Sequence, residues 1–118
     1  MCHVLLIEDE ILIALDLQDL LEAHGAKTFA WAATEESAIL AAKKQKPDFI
    51  ISDVLLAEGL GPSAVEVILR DIGPIPVVFI TATPEKCHPC APPGKILRKP
   101  FSHAEIVSIF KDKVLYGH

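Results

Sequence analysis

Five short aliphatic runs, each followed by a stretch of helical spacing or a turn, constrain this chain more than any other feature. His3–Ile7 is a continuous run of the kind seen in strands buried on both faces. Over residues 10–24 the period changes: Ile13, Leu17, Leu20 and Leu21 recur at helical spacing, and Gly25 supplies a stop. Residues 27–31 read as a second strand. Thr34 opens a second helix, with Glu35 and Glu36 in its first turn and Lys43, Lys44 and Lys46 at its end, an order that suits the helix dipole; Pro47 closes it. A third strand over residues 49–52 ends at Asp53. Residues 57–62 read as a loop, marked by Gly59, Gly61 and Pro62, and residues 63–71 as a helix with Val65, Ile68 and Leu69 inward. Gly73 and Pro74 turn the chain into a fourth strand over residues 76–80. A fifth follows over Lys95–Arg98, and Ser102 with Glu105 forms a capping box ahead of Ile106, Phe110 and Val114.

Strands joined through helices lie parallel, with helices on both faces, so the pattern predicts a doubly wound, five-stranded α/β sheet. At 118 residues the expectation is one domain, residues 1–118. Hydrophobic residues make up 51% but aromatics only 6%, the aliphatic bias that strands buried on both faces demand. Acids outnumber bases 16 to 11, and a net charge of −5 lacks the basic face a nucleic-acid binder needs. No apolar run approaches the ~18 residues of a membrane span. No signal peptide is evident either, so a cytoplasmic setting is expected, with Cys2, Cys87 and Cys90 reduced.

In doubly wound sheets, functional groups gather beyond the carboxyl ends of the strands. Those positions hold Glu8 and Asp9 after the first strand, Asp53 after the third, Thr81 after the fourth and Lys99 after the fifth. Three carboxylates brought together repel, and a hard divalent cation relieves the repulsion; Mg2+ suits a few carboxylates and retained waters. A cation and Lys99 flanking one carboxylate, with a hydroxyl nearby, make a place for a phosphoryl group.

The stretches LLIEDE, DFIISDVLL, VVFITAT and ILRKPF, in that order, resemble the receiver domain of bacterial two-component response regulators. The likeness runs from Cys2 to about Val114 and implies a flavodoxin-like topology. It implies that Asp53 is the phosphoacceptor, that Asp9 binds Mg2+ directly with Glu8 acting mainly through water, and that Leu55 offers its backbone carbonyl to the metal. Thr81 matches the hydroxyl residue that bonds the phosphoryl group and Lys99 the lysine that pairs with it. Lys99–Pro100 falls where the family has a cis peptide. The implied chemistry is attack by the Asp53 carboxylate on a phosphohistidine of a histidine kinase or phosphotransferase, followed by hydrolysis of the acyl phosphate. On that reading the domain is a switch rather than a turnover enzyme, and it signals to a protein partner in trans, with no nucleic acid and no membrane.

Two departures from the family pattern alter the expected output. Thr81 to Lys99 spans 99 − 81 = 18 positions, shorter than usual by about one helical turn. The interval also holds Pro84, Pro89, Pro92, Pro93 and Gly94, so its helix, the family's fourth, is expected to be short or irregular. The position three before the lysine, usually Tyr or Phe, is Ile96. Coupling is therefore expected through ordering of residues 82–95 instead. Receivers that accompany atypical histidine kinases in alphaproteobacteria resemble this shortened segment. Two other readings remain: a degenerate receiver serving only as an interaction module, and a metal or redox sensor built on the CxxC of Cys87 and Cys90.

Overall fold

The structure, a computed structural model, describes residues 2–86 and 94–115. Five strands, β1 (His3–Ile7), β2 (Thr28–Ala32), β3 (Phe49–Asp53), β4 (Val77–Thr81) and β5 (Lys95–Arg98), form one sheet in the order β2-β1-β3-β4-β5. Every neighbouring pair is parallel. The helices are α1 (Ile11–Ala23), α2 (Glu35–Lys44), α3 (Gly61–Ile72) and α4 (His103–Phe110). This is the expected doubly wound, flavodoxin-like arrangement.

Strand periodicity sorts the side chains into two cores. On one face Leu5, Ile7, Ile50, Val77 and Phe79 meet Ala38 and Ala42 of α2 and Ala64, Val65 and Ile68 of α3. On the other, Val4, Leu6, Phe49, Ile51, Val78 and Ile80 meet Leu17 and Leu21 of α1 and Ile106 and Phe110 of α4. The rings of Phe49 and Phe110 pack at 5.5 Å, tilted by 58°. β1, β3 and β4 are covered on both sides, hence their unbroken apolar runs. Two of the helices, α2 and α4, start at side-chain caps. Thr34 accepts from the Ser37 N–H while Ser37 reaches back to Thr34, and Ser102 and Glu105 form the anticipated box. Gly25, at φ 114°, turns the chain out of α1.

The largest departure from expectation is at α3, which starts at Gly61 rather than two residues later. Pro62 suits a first helical turn, where its missing N–H has no intrahelical partner. β2 and β4 each lie one residue later than the pattern placed them. Between β4 and β5 the described residues contain one 3-10 turn, Pro84–Lys86, in keeping with a short, irregular helix there. Cys87 and Cys90, with most of the second half of the 82–95 segment, lie outside the described residues. Ile96 pairs in register with Phe79 and packs half-buried on the α2/α3 side of the sheet. Among the described residues no helix is long and apolar enough to cross a membrane.

One buried polar residue opens β1. His3 is 5% exposed, its Nδ1 is hydrogen-bonded with Thr28 Oγ1 at 2.7 Å, and its Nε2 is buried with no partner among the described residues. Burial holds its pKa below the ordinary 6.5, against the opposing pull of Asp48 and the Thr28 contact. The unfolded chain therefore takes up this proton first, so the His3 contribution to stability is complete above about pH 6.5 and is lost as pH falls below it. His3→Gln should flatten the acid side of the stability profile in urea melts relative to the parent chain.

Candidate functional site

Parallel strands share one carboxyl edge, and the order β1-β3-β4-β5 sets their ends in a row. Glu8 and Asp9 leave β1, Asp53 ends β3, Thr81 ends β4, and Lys99 follows β5. Glu8, Asp9 and Asp53 bring carboxylate oxygens within 4.8 Å of one another. Lys99 Nζ lies 3.3 Å from Asp53 Oδ2, while the Val54 N–H donates to Oδ1 at 2.9 Å. Glu8 is 2% exposed, and its Oε1 accepts from the Glu10 N–H at 3.1 Å. Trp31, on the neighbouring strand, donates from Nε1 to the Glu8 carbonyl at 2.6 Å and anchors the turn that presents the pair.

Thr81 is buried, and its hydroxyl accepts from the Thr83 N–H at 3.1 Å. Its carbonyl accepts from the Lys99 N–H at 2.9 Å, which ties the β4 and β5 ends together. Ile80, the residue before it, is the register partner of Asp53. Among the described residues the Thr81 hydroxyl makes no hydrogen bond to Asp53. Leu55 lies on the loop that leaves Asp53 and doubles back to α3. There the Gly61 N–H donates to the Val54 carbonyl at 2.9 Å and the Leu56 N–H to that of Gly59 at 3.3 Å, bracketing a Leu55–Leu60 bridge. Among the described residues, the Leu55 carbonyl takes no part in these two bonds. Lys99–Pro100 is cis.

Electrostatics follow from placing like charges in a dry corner. Burial pushes the Glu8 carboxyl from 4.5 up to about 7; the charge of Asp53 and a bond with Asp9 add to this, while the Glu10 N–H and Lys99 oppose it. Asp53 is raised as well, first by burial and then by Asp9, against Lys99 and the Val54 N–H. Acids that resist ionisation in isolation are suited to a divalent cation, whose charge offsets all of them together. The three donors brought together are hard carboxylate oxygens, which fit Mg2+ rather than a soft metal.

Two residues of the site escaped sequence reasoning. Ser52 is fully buried and donates from Oγ to the Asp53 carbonyl at 2.8 Å. Gly61 closes against the same place: a Cβ there would overlap the Asp53 carbonyl and Ser52 Oγ. Glycine thus lets α3 pack directly on the backbone of Asp53. Gly61→Ala should cost about 1–3 kcal/mol in chemical denaturation, as overpacking against backbone does, and should displace Asp53 from Lys99. The only sequence signal was a Gly-Pro pair at a helix start, which local rules also assign to a loop.

Acidic pair, aspartate, hydroxyl and lysine stand at four successive strand ends, and a family model for the response regulator receiver domain matches residues 4–111. The chain belongs to that family. The Phyllosphere-induced regulator PhyR of Methylorubrum extorquens is 34% identical over 118 residues, a match covering 97% of this chain and 44% of the relative. The KDP operon transcriptional regulatory protein KdpE of Escherichia coli K12 is 35% identical over 110 residues, covering 90% and 48%. Among solved structures, the Erythrobacter litoralis PhyR response regulator REC domain superposes with a TM-score of 0.86 at 34% identity, covering 99% of this receiver and 92% of that one. The chain spans about half the length of the curated relatives it matches.

Proposed function

We propose that this receiver is a phosphoacceptor switch, taking a phosphoryl group from a phosphohistidine onto Asp53. The observation that carries the reading is the Lys99–Asp53 contact of 3.3 Å beside three carboxylates whose oxygens lie within 4.8 Å. Glu8, Asp9, Asp53 and the Leu55 carbonyl would hold Mg2+, which supplies positive charge against the carboxylates and the incoming phosphoryl oxygens. An Asp53 oxygen attacks phosphorus, the P–N bond to the imidazole breaks, and the imidazole leaves with that electron pair. Lys99 balances charge on the transferred oxygens from one side, and the Thr81 hydroxyl, at the next strand end, turns to donate to one of them. Water then cleaves the acyl phosphate and restores the carboxylate, so the domain resets itself without acting as a turnover enzyme.

The donor is a histidine kinase or phosphotransferase. Its docking surface is the ridge of α1 just beyond Asp9, where Ile11, Leu12 and Leu15 are 52%, 78% and 49% exposed. Output passes to another protein. Bartonella quintana PhyR, 32% identical and half covered by this chain, is described as an anti-anti-sigma factor, which supports a protein target over nucleic acid. Intact-mass measurement after incubation with Mg2+ and a small acyl phosphate tests the reading. One phosphoryl adduct is expected; no adduct from any donor, together with no Mg2+ binding, would leave the interaction module as the better account.

A further inference from the structure

Away from the acidic pocket, α2 and the loop of residues 54–60 enclose a groove of about 380 Å³. Its shape is built in. The Glu35 N–H donates to the Glu58 carbonyl at 3.0 Å, and the Leu60 N–H donates to Glu35 Oε1 at 3.0 Å. Gly59, at φ 89°, passes so close to Glu35 that a Cβ would collide with its side chain. Ile39 and Leu40 line the groove, and Leu40 is 59% exposed. On the same loop the bridged pair Leu55 and Leu60 leaves two more large aliphatic side chains in water, at 67% and 44%.

The polar character of the lining is one-sided. Glu35, Glu36 and Glu58 contribute three carboxylates, and no Lys or Arg among the described residues lines the groove. Glu35 is engaged by the Leu60 N–H, whereas the Glu36 and Glu58 carboxylates have no hydrogen-bond or ion-pair partner among the described residues. We propose that this groove docks a short basic segment of a partner protein, its apolar side chains on Ile39, Leu40, Leu55 and Leu60 and its cations on Glu36 and Glu58. Charge complementarity selects that occupant. Phosphate-rich nucleic acid or an anionic membrane would meet repulsion, and a second copy joined about a two-fold axis would set the same carboxylates against each other. These three glutamates do not form a close cation-binding group among the described residues, and Glu35 already spends an oxygen on backbone. The position is separate from the α1 ridge, so a donor and this partner can bind together.

A fluorescein-labelled peptide with Lys and Leu at helical spacing, titrated into the full chain without Mg2+ or phosphodonor, tests this by anisotropy and amide chemical shifts. Leaving those out keeps failure here distinguishable from failure of the phosphoacceptor reading. Saturable binding is expected, with shifts confined to residues 34–40 and 55–60, and about tenfold or greater weakening by Glu58→Lys and by Leu40→Asp. Both side chains are exposed, and circular dichroism checks that the variants fold. Equal binding of a peptide with Ser for Leu, shifts centred on α1, no saturable binding, or a dimer in sedimentation that Leu40→Asp dissolves would each overturn the proposal.

Discussion

Asparagine in place of Asp53 should abolish the phosphoryl adduct and leave the fold standing. The two carboxylate oxygens serve different neighbours: Oδ1 accepts from the Val54 N–H at 2.9 Å and Oδ2 faces Lys99 Nζ at 3.3 Å. An amide cannot satisfy both, because whichever position its NH2 takes meets another donor. It also lacks the anionic oxygen that the proposed attack on phosphorus requires. The cost to the fold is small for a reason visible in the site itself. Burial already disfavours the Asp53 charge, so a neutral side chain escapes that penalty while giving up an ion pair whose lysine is 29% exposed. Intact mass after treatment with Mg2+ and a small acyl phosphate should show the adduct in the parent chain and none in Asp53→Asn, with urea midpoints of similar value. An adduct of undiminished yield in the variant would place the phosphoryl group elsewhere.

The strand-end residues were legible because two rules compound. Alternation of short apolar runs with helical spacing implies a parallel sheet, and a parallel sheet gathers its carboxyl ends on one edge. Glu8, Asp9, Asp53, Thr81 and Lys99 are therefore neighbours before any coordinate is known. β1 and β5 were readable to the residue, since each meets an abrupt polar break, Glu8 in one case and Lys99-Pro100 in the other. β2 was off by one because an edge strand, mostly half-exposed, offers no such contrast. Pro76 read as strand because its carbonyl does join the ladder, accepting from the Ile50 N–H at 3.0 Å, although its ring removes the donor.

What escaped was fixed by contacts distant in sequence. Gly61 is glycine because of Asp53 and Ser52, eight and nine residues earlier and on another element. The Trp31 bond to the Glu8 carbonyl crosses 23 positions. The groove by Glu35 depends on a loop folding back from β3 onto α2. Local propensity carries no trace of such pairings; they exist only once the sheet has set the spacing between its connections. Acidity at Glu8 belongs to the same class, since three Glu/Asp residues in a row at 8–10 look alike in sequence and only Glu8 is buried.

That burial yields the second large effect: in the Mg2+-free protein, Glu8 lowers stability as pH rises from about 4.5 to about 7. The unfolded chain releases this proton near 4.5, whereas the folded protein holds it to about 7. Between those values the folded state binds more protons, so its stability falls with rising pH. The Glu8 contribution is full below about 4.5 and gone above about 7. The gap corresponds to roughly 3 kcal/mol at its limit. His3 acts in the opposite sense, so the parent curve alone mixes the two and the measurement is a difference. Urea melts at several pH values in chelator should show Glu8→Gln gaining on the parent chain as pH rises, because Gln keeps an acceptor for the Glu10 N–H and carries no charge. Saturating Mg2+ should erase that advantage of Glu8→Gln and make stabilisation of the parent by the ion steeper towards high pH, since proton and cation compete for the same oxygens. Parallel curves for the parent and Glu8→Gln in chelator would show that Glu8 ionises normally. If the curves diverge as expected, the buried Glu8 charge that weakens the metal-free fold is the same charge that would strengthen its hold on a cation.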